Sequence, residues 1–121
     1  MNHERKRKTV LIVEDDESIA ETINLTLTHE GYATAVAEDG TRALELLQQI
    51  KVDLILTDLV MEPMHGKELL ERLENDPALR KIPVIVVSGE RDILAIAGRR
   101  KAIRKPFCLE DLLKAIEDAL D

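Results

Sequence analysis

Residues 9–17 read TVLIVEDDE, and the fold is read from that juxtaposition. Thr9–Val13 is apolar at successive positions, so it carries apolar side chains on both faces, as a strand buried in a parallel sheet does. Four carboxylates at 14–17 follow with no spacer. The same order, apolar run then polar group, recurs downstream. Residues 52–57 (VDLILT) lead into Asp58, residues 83–87 (PVIVV) into Ser88, and Lys101–Arg104 (KAIR) into Lys105-Pro106. A fifth run, Ala33–Ala37 (ATAVA), lies between the first two. The runs at 52–57 and 83–87 are also apolar on both faces, whereas the run at 101–104 alternates, which suggests an edge strand.

Helical periodicities separate these runs. Ile19, Ile23 and Leu27 share one face; so do Leu44, Leu47 and Ile50, and then Leu69, Leu70 and Leu73. The final segment is the cleanest, with Leu109, Leu112, Leu113, Ile116 and Leu120 at spacings of three and four. Turn signals fall at Glu30-Gly31, Asp39-Gly40, His65-Gly66 and Asp76-Pro77. Five βα units imply an α/β fold, a parallel sheet with helices on both faces. Right-handed crossovers leave the doubly wound, flavodoxin-like order 2-1-3-4-5 as the expected one.

Composition agrees. The chain has 121 residues, 45% hydrophobic and 34% charged, which suits one globular domain that needs no disulfide or structural metal. Cys108 is the single cysteine, which excludes an internal disulfide and a cysteine-built zinc site and fits a reducing, cytoplasmic setting. No apolar run approaches the ~18 residues of a membrane span, and no signal-peptide core follows the N-terminus. Seventeen basic and twenty-four acidic residues give a net charge of −7. Residues 1–8 hold four basic residues and one acidic, leaving thirteen basic against twenty-three acidic, −10, over residues 9–121. The expected organisation is therefore a solvated basic tail at 1–8 and one acidic domain at 9–121. Such a body is a poor general nucleic-acid binder, and the length leaves little room for a separate nucleic-acid-binding or enzymatic domain.

Ligands of doubly wound sheets bind beyond the carboxyl ends of the strands, where the winding reverses. Four of the five strands deliver polar groups to that rim. In the order 2-1-3-4-5, Asp15 and Asp58 stand side by side. Two carboxylates ~4 Å apart repel by about 4 kcal/mol at an effective dielectric of 20. Lys105 supplies one positive charge, and the remainder suits a hard divalent ion such as Mg²⁺. Asp16 and Glu17 read instead as helix N-terminal carboxylates that favour the macrodipole. Asp58 taken alone fits a cap as well as it fits chemistry; the combination of four rim positions points to a functional cluster.

With those residues in view, the chain resembles the receiver domain of bacterial two-component response regulators, of the single-domain chemotaxis type. The carriers are VLIVEDDE (10–17), EGYATAVAEDGTRALELL (30–47), DLILTDLVMEPMHG (53–66), IPVIVVSG (82–89) and the KPF at 105–107. The resemblance implies that Asp58 is the phosphoacceptor. Asp15, Asp58 and the Val60 backbone carbonyl would ligate Mg²⁺, with Glu14 acting mostly through a bound water. Ser88 would hydrogen-bond a phosphoryl oxygen, Lys105 would pair with the phosphoryl group, and the Lys105–Pro106 bond would be cis. It further implies a sensor histidine kinase or phosphotransfer protein as donor, an unidentified downstream protein partner, no nucleic-acid-binding domain, no membrane attachment, and a monomer or weak dimer.

Three features depart from that pattern. Ala102 stands where the family usually carries the aromatic that swings inward on activation, three residues before the lysine. Ser88 and Lys105 are seventeen positions apart, about five fewer than is usual, which exceeds one helical turn; a stunted fourth helix is expected around residues 89–98. Glu62 replaces the usual proline, with Pro63 next, and His65 stands where Asp is common. Arg99, Arg100, Lys101, Arg104 and Lys105 form a basic stretch, read as a solvated strand edge or as a docking surface for an acidic partner or nucleic acid.

Rival functions fit less well. An aspartyl phosphohydrolase needs a second Asp two positions on, where Val60 stands. A flavin-type phosphate loop would be repelled by EDDE, and no Gly-Lys-Ser/Thr loop is present. A receiver acting without phosphorylation is the remaining alternative, although every chemical position is filled. The chain is not expected to be an enzyme beyond its own phosphorylation and dephosphorylation. His65 is read as neither ligand nor carrier, Met61 and Met64 as packing beneath the site loop, and Cys108 as a small buried residue.

Overall fold

The computed structural model describes residues 8–121, so most of the basic tail lies outside the described residues. The elements are β1 (Thr9–Val13), α1 (Glu17–His29), β2 (Ala33–Ala37), α2 (Gly40–Gln49), β3 (Leu54–Thr57), α3 (Gly66–Glu74), a 3₁₀ turn (Leu79–Lys81), β4 (Val84–Ser88), α4 (Ile93–Ala97), β5 (Lys101–Arg104) and α5 (Leu109–Leu120). The sheet is parallel throughout, in the order β2-β1-β3-β4-β5. The three inner strands are those with unbroken apolar runs. The two edges, β2 and β5, are the ones left partly exposed.

Strand alternation divides the core in two. Leu11, Val13, Ile55, Val84 and Val86 point to the face covered by α2, α3 and α4. Val10, Ile12, Leu54, Leu56 and Ile85 point to the other, covered by α1 and α5. The first three helices start on side-chain caps. Asp16 Oδ1 accepts the Ile19 N–H at 3.1 Å, Asp39 Oδ1 the Arg42 N–H at 2.9 Å, and His65 Nδ1 the Lys67 N–H at 2.9 Å. Two expected turns, Asp39-Gly40 and His65-Gly66, are thus a cap followed by the first helical residue. Asp16 takes the terminal role its position suggested.

Two packing expectations change. The apolar face of α2 centres on Ala43, which is fully buried, with Leu44, Leu46 and Leu47 flanking it. Ile50 has left the helix in extended backbone and is 39% exposed. Cys108 is exposed rather than buried, because it occupies the cap before α5, ahead of the helix's packed face. Tyr32 is buried on the α1/α5 side, in the corner just before β2. The stunted fourth helix is present as five residues, closed by Gly98 at φ 64°. That left-handed backbone is one glycine adopts without strain.

Candidate functional site

Hydrogen bonding that continues past the strand ends builds the rim. The Glu14 N–H donates to the Ala37 carbonyl and the Asp58 N–H to the Val13 carbonyl, each at 3.0 Å. The Lys105 N–H donates to the Ser88 carbonyl at 2.9 Å. Glu14, Asp58, Ser88 and Lys105 are therefore positioned by the same ladder that holds the sheet. Lys105 Nζ then bridges the carboxylates, 2.8 Å from Glu14 Oε1 and 2.9 Å from Asp58 Oδ2. The Lys105–Pro106 bond is cis, as expected, and so is Glu62–Pro63, which the sequence reading did not anticipate.

Asp58 is held on its other side. Its Oδ1 accepts the Leu59 N–H at 2.6 Å, with the Val60 N–H at 3.4 Å. Glu14 Oε2 accepts the Asp16 N–H at 3.2 Å. Glu14, Asp58 and Ser88 are buried, while Asp15 and Val60 are exposed. One carboxylate oxygen from each of Glu14, Asp15 and Asp58 lies within 4.8 Å of the others. Ser88 ends β4 opposite Arg104, and its Oγ accepts the Glu90 N–H at 3.1 Å.

The loop after Asp58 closes beneath the site. Met61 and Met64 are buried there, Met64 against Gly40. Gly66 is the residue whose role the sequence concealed. A Cβ at Gly66 would lie 2.5 Å from the Asp58 carbonyl oxygen and 2.6 Å from Leu59 Cα, both backbone atoms. Its N–H donates to the Leu59 carbonyl at 2.8 Å, tying the end of the loop to its beginning. A glycine after histidine reads as an ordinary turn signal; only the fold shows what it must fit against.

Burial dominates at Glu14. It raises the Glu14 carboxyl above the usual range; the Asp58 charge adds to this, and the Lys105 and Asp16 hydrogen bonds oppose it without cancelling it. Burial alone would pull the Lys105 ammonium down, but its hydrogen bonds to Glu14 and Asp58, with their charges, outweigh this and raise it. Lys105 is thus a firmly held cation facing more negative charge than it can balance. Hard oxygen donors with an excess of negative charge fit a hard divalent cation.

The comparisons agree with this geometry. The family model described as response regulator receiver domain matches residues 10–117, and the chain belongs to that family. It is 31% identical over 119 residues to the DNA-binding response regulator MtrA of Mycolicibacterium paratuberculosis, covering 94% of this chain and 52% of that protein. It is 34% identical to the transcriptional regulatory protein GlrR of Escherichia coli, covering 100% of this chain and 28% of that protein. The chain therefore spans about half or less of these curated relatives. Among solved structures, chemotaxis protein CheY4 of Vibrio cholerae superposes with a TM-score of 0.86 at 29% identity, covering 93% of this chain and 98% of that one. A CheY-like receiver domain protein of Methanospirillum hungatei gives 0.86 at 29%, covering 94% of each. Among the described residues no helix is long and apolar enough to cross a membrane.

Proposed function

We propose that the chain receives a phosphoryl group on Asp58, with residues 9–121 as the receiver unit and 1–8 as a basic tail. The observation that carries this reading is the environment of Asp58. It is a buried carboxylate with Oδ1 fixed by backbone N–H groups and Oδ2 on Lys105, inside a cluster of three carboxylates. Phosphoryl transfer is mainly positioning and charge stabilisation, which such a site supplies. An Asp58 oxygen donates an electron pair to phosphorus. The donor's P–N or P–O bond breaks, the leaving group keeps that bond's electrons, and an aspartyl phosphate results.

Asp15, Asp58 and the Val60 carbonyl would hold Mg²⁺, with Glu14 acting through a water; when bound it would neutralise charge on the transferred group. The product carries about −1.5 to −2 charge. Lys105 would re-pair from the carboxylates to the phosphoryl oxygens, and Ser88 would give up the Glu90 N–H to donate to one of them. Those two exchanges bias a two-state equilibrium. The donor is a sensor histidine kinase or phosphotransfer protein in the cytoplasm, and the recipient of the signal is a protein partner. Intact-mass analysis after incubation with Mg²⁺ and acetyl phosphate tests this. Wild type gains one phosphoryl group, and chelation abolishes the gain. Uptake by Asp58→Asn equal to wild type would refute it.

A further inference from the structure

Among the described residues, a cluster of basic side chains lies at the pole opposite the acidic rim. A groove of about 450 Å³ opens at the amino ends of β4 and β5, lined by Arg80, Lys81, Arg99, Arg100 and Lys101. Glu74 is the one acidic residue in its lining, and Arg100 already pairs with it at 3.2 Å. The other four cations have no salt-bridge partner among the described residues. β4 is five residues long, so the groove and the rim are separated by about 16 Å at 3.3 Å per residue. That exceeds the ~8 Å screening length at physiological salt, and the rim carboxylates do not neutralise the groove. Its apolar lining includes Leu79, Ile82 and Val84.

We propose that this groove docks an acidic peptide segment with interspersed apolar side chains, contributed by a protein partner. Guanidinium groups match carboxylates in paired geometry, and the aliphatic lining accommodates the intervening side chains. Nucleic acid fits less well. The lining contains no aromatic ring on which a base could stack, and the chain's net charge of −7 repels a long polyanion. The sequence showed the basic stretch near residues 99–105. The fold adds Arg80 and Lys81 to it and directs Arg104 elsewhere, onto the Glu90 carbonyl at 3.1 Å.

The test titrates the full chain with a fluorescein-labelled dodecapeptide alternating Glu and Leu, read by anisotropy, and maps amide shifts by NMR. Saturable binding that weakens with salt is expected, with shifts confined to residues 79–84 and 99–101. The exposed double variant R80E/R99E should bind about tenfold more weakly while still accepting phosphoryl from acetyl phosphate. No saturable binding, shifts centred on Lys105, or unchanged affinity of the variant would overturn the proposal. So would equal affinity for a single-stranded thymidine dodecamer, which would mark a general polyanion site.

Discussion

Glu14 and Lys105 show how single side chains set the working range of the site. Glu14 has a raised carboxyl, so protons compete for it above the ordinary carboxylate range. Mg²⁺ affinity, followed by titration calorimetry, should begin to fall with decreasing pH above that range. A decline confined to the ordinary carboxylate range would contradict the role given to Glu14 burial. The metal-free fold responds with the opposite sign. A raised carboxyl contributes stability below its unfolded value and loses it as pH rises through the folded one. Lys105, also raised, keeps its contribution until strongly alkaline pH. Val60 matters through what it lacks. It is 56% exposed beside Asp58 and offers no polar side chain to orient a hydrolytic water. A long-lived aspartyl phosphate is expected, and decay within seconds in a mass-spectrometric time course would refute that. At this scale the residue types at the rim were legible, because each directly follows a strand. Cys108 was not, since burial depends on where a helix begins and not on side-chain polarity alone.

Among the elements, the loop from Asp58 to α3 is the least tolerant of change. Gly66→Ala places a methyl group against backbone that has nowhere to move, at a cost of more than about 2 kcal/mol. The displaced Leu59 and Val60 N–H groups would also slow phosphoryl uptake. Gly40→Ala is the contrast, because its Cβ meets side chain rather than backbone, with Met64 Sδ at 2.7 Å, Cγ at 3.0 Å and Cβ at 3.2 Å. Urea denaturation of both variants should show the larger loss at Gly66; equal losses would sink the argument. The inner strands were readable because two-sided burial demands unbroken apolar runs. β3 starts at Leu54 rather than residue 52 because Asp53 is diverted, its Oδ2 accepting the Thr9 N–H at 2.8 Å. The face of α2 was misplaced because helical spacing identifies candidate stripes but not the small residue, Ala43, on which the helix rests.

The whole molecule combines a rim where carboxylates cluster near Lys105 with a fourth helix of only five residues. The sheet order followed from five βα units and the handedness of their crossovers, so the meeting of residues 15 and 58 near Lys105 was legible before any coordinates, whereas the Glu14–Lys105 bridge was not. How a signal leaves the rim was not, because α4 has five residues and Ala102 replaces an aromatic. Phosphorylation should therefore change this molecule without an inward aromatic swing. NMR spectra of the free and beryllofluoride-bound forms would test that. Large shifts confined to a conventional fourth-helix surface would count against it.

Tyr32 gives these experiments a built-in optical reporter. It is the only tyrosine, and the chain has no tryptophan, so its intrinsic ultraviolet emission comes from one buried phenol. That ring precedes β2, at the amino end of the strand, whereas the carboxylates gather at the carboxyl ends. Its fluorescence should follow global unfolding while remaining largely silent to metal occupancy, so one unlabelled sample can separate ligand binding from loss of structure.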